Sequence, residues 1–103
     1  MSVTFNFEGD ELVGVSHLGF GYEYPKHEIN VSNSNAVFLT RSFGLVLDKE
    51  LWGAIPVEEM PTYIHNLNVL KQDSIDRYSY DRFDQFLKLF QAAYANGKPV
   101  QYS

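Results

Sequence analysis

The hydrophobic residues follow two rhythms, a period of two over the first third of the chain and a period of three to four over most of the rest. Val3, Phe5 and Phe7 alternate with polar residues, which sets one face of a strand against a core. Glu8-Gly9-Asp10-Glu11 then reads as a tight turn, because Gly and Asp tolerate the positive φ that hairpins require. Leu12–Val15 is expected as the strand returning from that turn. Leu18, Phe20, Tyr22 and Tyr24 alternate again, with Gly19 and Gly21 on the opposite face. Pro25 closes this run, since proline has no N–H to give a ladder. His27–Val31 forms a further short strand with Ile29 and Val31 on one side, and the short connections favour antiparallel pairing.

The rhythm changes after Ser32-Asn33-Ser34-Asn35, four residues whose side-chain oxygens can cap the free N–H groups of a helix. Ala36, Leu39 and Phe43 follow at helical spacing, and Gly44 sits where a left-handed residue would end the helix. Asp48–Trp52 is expected to form a short helical turn, broken by Gly53-Ala54-Ile55-Pro56. Met60, Tyr63, Ile64, Leu67 and Leu70 mark a second helix starting near Pro61, which is tolerated in a first turn. Lys71–Ser79 is expected to be a polar connection. Tyr80, Phe83, Phe86, Leu87, Phe90 and Tyr94 then trace one broad apolar stripe, ended by Gly97 and Pro99. Val100–Tyr102 reads either as a strand returning to the sheet or as a frayed tail. The whole predicts one α+β domain over residues 1–103. Its two layers are an antiparallel sheet of roughly three to five strands, drawn mostly from residues 2–31, and about three helices.

Composition supports a real core. Hydrophobic residues make up 45% of the 103 residues and aromatic ones 16%, so large rings supply the buried area. The chain has no cysteine, which excludes disulfides and thiolate metal sites. Thirteen acidic residues against eight basic ones give a net charge of −5, and the basic residues are spread along the chain. That balance argues against binding nucleic acid or an anionic membrane, both of which need clustered cations. The first residues lack the basic and apolar regions of a signal peptide, and no apolar run approaches a membrane span, so a cytoplasmic location is expected.

Local catalytic and metal motifs are missing. His17, His27 and His65 form no HxH, HExxH or HxxxH pair, so neither a metal nor another cofactor is expected, and the histidines read as surface or capping residues. There is no GxSxG elbow, and Gly19-Phe20-Gly21 lacks the rest of a phosphate-binding loop. The pairs Glu58/Glu59 and Asp81/Asp84 suit the positive end of a helix better than a general-acid pair. Two places invite a partner. One is the strand-to-helix junction of Asn33, Ser34 and Asn35, where helix N–H groups could hold a ligand, with His17 or His65 as further candidates. The other is Trp52, in an apolar segment with Leu45 and Leu47, which are assigned to the core. The leading expectation is a non-enzymatic module binding another macromolecule, with a protein as partner and room for a homodimer. A small-molecule binder or modest enzyme at the Ser32–Asn35 junction is the alternative. An acidic nucleic-acid mimic using Glu8, Asp10 and Glu11 is a third.

Overall fold

Strand β1 (Ser2–Asn6) occupies an inner position in an antiparallel sheet whose order is β4-β1-β6-β5, with β4 at Ile29–Ser32, β5 at Gly53–Ile55 and β6 at Val100–Tyr102. This is a computed structural model describing the backbone of residues 1–17, 20–74 and 76–103, and the side chains of those residues apart from 15–17 and 20. The expected alternation holds along β1 and β4. Val3, Phe5, Ile29 and Val31 are buried, while Ser2 and Asn30 stay exposed. Residues 29–32 run against 5–2 in register, and β6 joins the other side of β1 through Phe5–Tyr102 and Asn6–Gln101. Residues 100–102 are therefore a strand and not a tail.

Two expectations are corrected. Leu12–Val15 does not return along β1. It belongs to β2 (Leu12–His17), which among the described residues pairs with β3 (Phe20–Pro25) in a separate two-stranded sheet. β1 pairs instead with β4 and β6, and its Val3 and Phe5 share the core with Ile29, Val31, Val100 and Tyr102 of those strands. Asp48–Trp52 is not a helical turn. Glu50 N–H donates to the Asp48 carboxylate at 2.8 Å and Leu51 N–H to the Asp48 carbonyl, which closes a turn leading into β5.

The helices form the second layer. Helix α1 (Asn33–Ser42) is capped by the Ser32 hydroxyl and buries Ala36, Leu39 and Thr40. Phe43 and Leu45 continue that buried side, with Gly44 at φ +90° as the expected terminator. A 3-10 turn at 57–59 precedes α2 (Met60–Asp73), and α3 (Arg77–Ala95) follows. The polar stretch 71–79 is thus mostly helical, with α2 running to Asp73 and α3 starting at Arg77. The Asp76 carboxylate accepts the Ser79 N–H at 2.8 Å and starts α3 a turn earlier than the apolar stripe suggests. That amide holds the Asp76 carboxyl below its ordinary pKa. Phe83, Phe86, Leu87, Leu89, Phe90 and Ala93 of α3 are buried, whereas Tyr80 and Tyr94 at the ends of the stripe are exposed. Phe86 meets Phe5 edge-on at 5.0 Å and Phe43 at 5.4 Å, so sheet, α1 and α3 share one core. No helix among the described residues is long and apolar enough to cross a membrane.

Candidate functional site

With the helices on one face, the other face of the sheet is left open. The register fixes what it displays. Asn30 and Thr4 face each other across β4 and β1, Asn6 stands opposite Gln101, and Gln101 stands opposite Ala54. Ser103 bonds Thr4 through both backbone groups, at 2.8 and 3.1 Å, and extends the row. The Asn30 amide donates to the hydroxyls of Ser2 (3.1 Å) and Thr4 (2.8 Å), and the Asn6 amide donates to Glu28 (3.1 Å). The result is a carpet of amides and hydroxyls, with the Glu28 carboxylate bonded to Asn6 at its margin.

At the β5 border of this face stands Trp52, 66% exposed. Its position is held by the turn that replaces the expected helix. The Asp48 N–H donates to the hydroxyl of Tyr102 at 2.9 Å, tying the start of the turn to β6. Leu51 adopts φ +59°, a left-handed conformation that costs a branched residue of order 1–3 kcal/mol, while its side chain packs against the core. Gly53 then passes so close to Tyr102 that an added Cβ would lie 2.9 Å from the phenol oxygen. These restraints turn Leu51 inward and Trp52 outward. Trp52 lines a shallow groove of about 520 Å³ together with Asn6, Gly53, Ala54, Gln101, Tyr102 and Ser103. No charged side chain lines it among the described residues.

A second cleft, of about 230 Å³, lies between the start of β4 and α3, and gathers basic residues that look dispersed in the sequence. Lys26, Arg82 and Lys88 all line it, together with His27. Each polar group there already has a partner. Lys26 meets Glu11 at 3.4 Å, Lys88 meets Asp84 at 2.8 Å, and Arg82 donates to Gln85 at 2.9 Å. The Asp10 carboxylate, only 3% exposed, accepts from the His27 backbone N–H at 2.7 Å and meets its ring Nδ1 at 2.9 Å. Asp10 is therefore turned inward as the clasp of the hairpin base. The Asp84 carboxyl is held below its ordinary pKa chiefly by a hydrogen bond from Lys71, then by Lys88. This cleft is a self-satisfied network.

The candidates read from the sequence do not converge. Asn33, Ser34 and Asn35 form the first turn of α1, at the β4 edge of the sheet, and two of their N–H groups are occupied. Asn33 donates to the Met1 carbonyl at 3.2 Å and Asn35 to Ser32 at 3.4 Å. The Asn35 amide also donates to the Tyr78 hydroxyl at 2.9 Å, joining α1 to α3. His65 is exposed on α2, in the helical layer, and the side chain of His17 lies outside the described residues. Trp52 is at the opposite edge of the sheet from the α1 junction. Asn6, Gln101 and Ser103 were invisible as site residues. Their alternation was legible, but nothing local announces that positions 6 and 101 become neighbours. Comparisons with known protein families, with curated proteins and with solved structures found no match to this chain.

Proposed function

We propose that the chain is a non-enzymatic binding module that docks a macromolecular partner on the open face of its sheet, at the Trp52 border. The observation that carries this reading is the outward presentation of Trp52 on a pinned, strained turn. Burying a side chain of this size stabilises a fold by at least about 1.5–3 kcal/mol, and a relaxed turn could have tucked it in. Local strain held in place by surrounding structure is a mark of functional surfaces. Trp is also among the residues that dominate binding energy when covered.

The test is a photo-cross-linking amino acid at exposed Ala54, beside an intact Trp52, with the same residue at exposed Val69 on α2 as control, in lysate of the source cells. The expected result is a discrete adduct from position 54 only. Excess wild-type chain should compete it away, whereas excess Trp52→Ala chain should not. Equal adducts from both positions, or none from position 54, would sink the reading.

A further inference from the structure

We infer that the partner chemistry recognised at the Trp52 groove is an uncharged oligosaccharide chain lying across the open face of the sheet. The inference rests on the docking reading above and narrows it to a ligand class. Three observations carry it. First, the groove combines one broad aromatic surface with a floor of amide and hydroxyl side chains, Asn6, Gln101 and Ser103. A pyranose ring has the matching duality, an apolar C–H face that can lie on an indole and a rim of hydroxyls that donate and accept. Amides suit such a rim because each offers two donors and a two-lone-pair acceptor.

Second, the chemistry of the floor discriminates among occupants. An apolar protein surface pressed on this face would strip water from Gln101 and Ser103 without replacing their hydrogen bonds, and each buried unsatisfied group is costly. A polyhydroxylated chain replaces those bonds. Among the described residues no cation lines the groove to favour a phosphate, sulfate or uronate, and the molecule carries a net charge of −5. A charged glycan is disfavoured on both counts.

Third, the floor is flat and preformed. Its groups sit on paired strands, where neighbouring positions repeat at the strand spacing of about 4.8 Å. The Asn6–Gln101–Ala54 row therefore gives a linear ligand successive contacts across the sheet, with Trp52 as the stacking end. Little ordering is needed on binding, which favours affinity for a ligand with few apolar groups.

Trp52 is the chain's only tryptophan, so its fluorescence reports on the groove directly. The full chain should be titrated with cellohexaose, xylohexaose, mannohexaose and maltohexaose, with hexagalacturonate as the charged control. The expected result is a saturable change in emission with at least one neutral hexasaccharide and none with the galacturonate. Calorimetry on Trp52→Ala, which should keep its far-ultraviolet circular dichroism, should show at least about a tenfold loss of affinity. Asn6→Ala and Gln101→Ala should each weaken binding several-fold.

Absence of saturation with every neutral sugar up to about 10 mM would overturn the inference, as would binding untouched by Trp52→Ala. The cross-linking experiment keeps the two readings separate. A polypeptide adduct at position 54 without sugar binding leaves the docking module standing and removes the saccharide. Loss of both signals removes the module as well.

Discussion

Gly53 is where the fold and the exposed face meet in one residue. Its missing side chain lets β5 pass over Tyr102, whose hydroxyl in turn holds the Asp48 N–H. Gly53→Ala should destabilise the protein by about 1–3 kcal/mol in urea denaturation, because the ring it meets is buried and cannot step aside freely. Tyr102→Phe alone should cost roughly 1 kcal/mol for the lost hydrogen bond. The double variant should cost less than the sum, since the phenol oxygen is the nearest obstacle to the new methyl. Asp84 makes a different single-residue case, a carboxylate between two ammonium groups, with Lys71 at 2.6 Å and Lys88 at 2.8 Å. Its folded pKa is lowered, so its contribution is fully present above the unfolded value near 3.8 and is lost as pH falls through the folded value. Asp84→Asn should therefore cost about 1–2 kcal/mol at neutral pH, with the gap to wild type narrowing below about pH 4 in denaturation curves.

Among the elements, α3 carries the largest share of the core, and its period was plain in the sequence because six rings and leucines repeat on one side. Phe86 touches Phe5, Phe43 and Phe90 and is fully buried, so Phe86→Ala should cost roughly 3–5 kcal/mol by chemical denaturation. Tyr80 and Tyr94 show the limit of periodicity. They share the stripe but overrun the layer beneath it, and Tyr80 instead lies under the Lys71 ammonium, 5.2 Å from its ring centre. The acidic pair on this helix was read as favouring the helix dipole. Asp81 instead accepts from Arg77 one turn back, and Asp84 bridges α3 to α2. The Asp76 cap was written in the chain, yet the apolar stripe drew the expected start to Tyr80.

At the scale of the molecule, the β2–β3 hairpin stands outside the core. The core cluster holds no described side chain from residues 12–25, and Leu12, Tyr22 and Tyr24 are exposed. The radius of gyration of 14.0 Å exceeds the roughly 13 Å of a compact chain this long, and the longest extent is 42 Å. The two ends of the hairpin are already joined by the Lys26 N–H and the Glu11 carbonyl at 2.8 Å. Replacing Leu12–Pro25 with an Asn-Gly turn should leave the sheet intact, with stability within about 1 kcal/mol of wild type. Matching amide shifts for β1, β4 and β6 would confirm an independent body. Collapse of those shifts would show that the hairpin is needed for folding.

The sequence by itself determined the class of fold, the three helices and the inward faces of β1, β4 and α3. These follow from short-range regularities, the alternation of Val3, Phe5 and Phe7, the helical spacing of Phe83 to Phe90 and the left-handed glycines at 44 and 97. Tertiary structure decided which strands pair. It took β1 from its sequence neighbour β2 and gave it to β4 and β6, whose buried side chains continue the apolar face that packs against α1 and α3. The same choice brought Asn6 beside Gln101 and turned Trp52 outward at the border. A surface built from residues almost a hundred positions apart has no local pattern, since it exists only once long-range pairing has fixed the register.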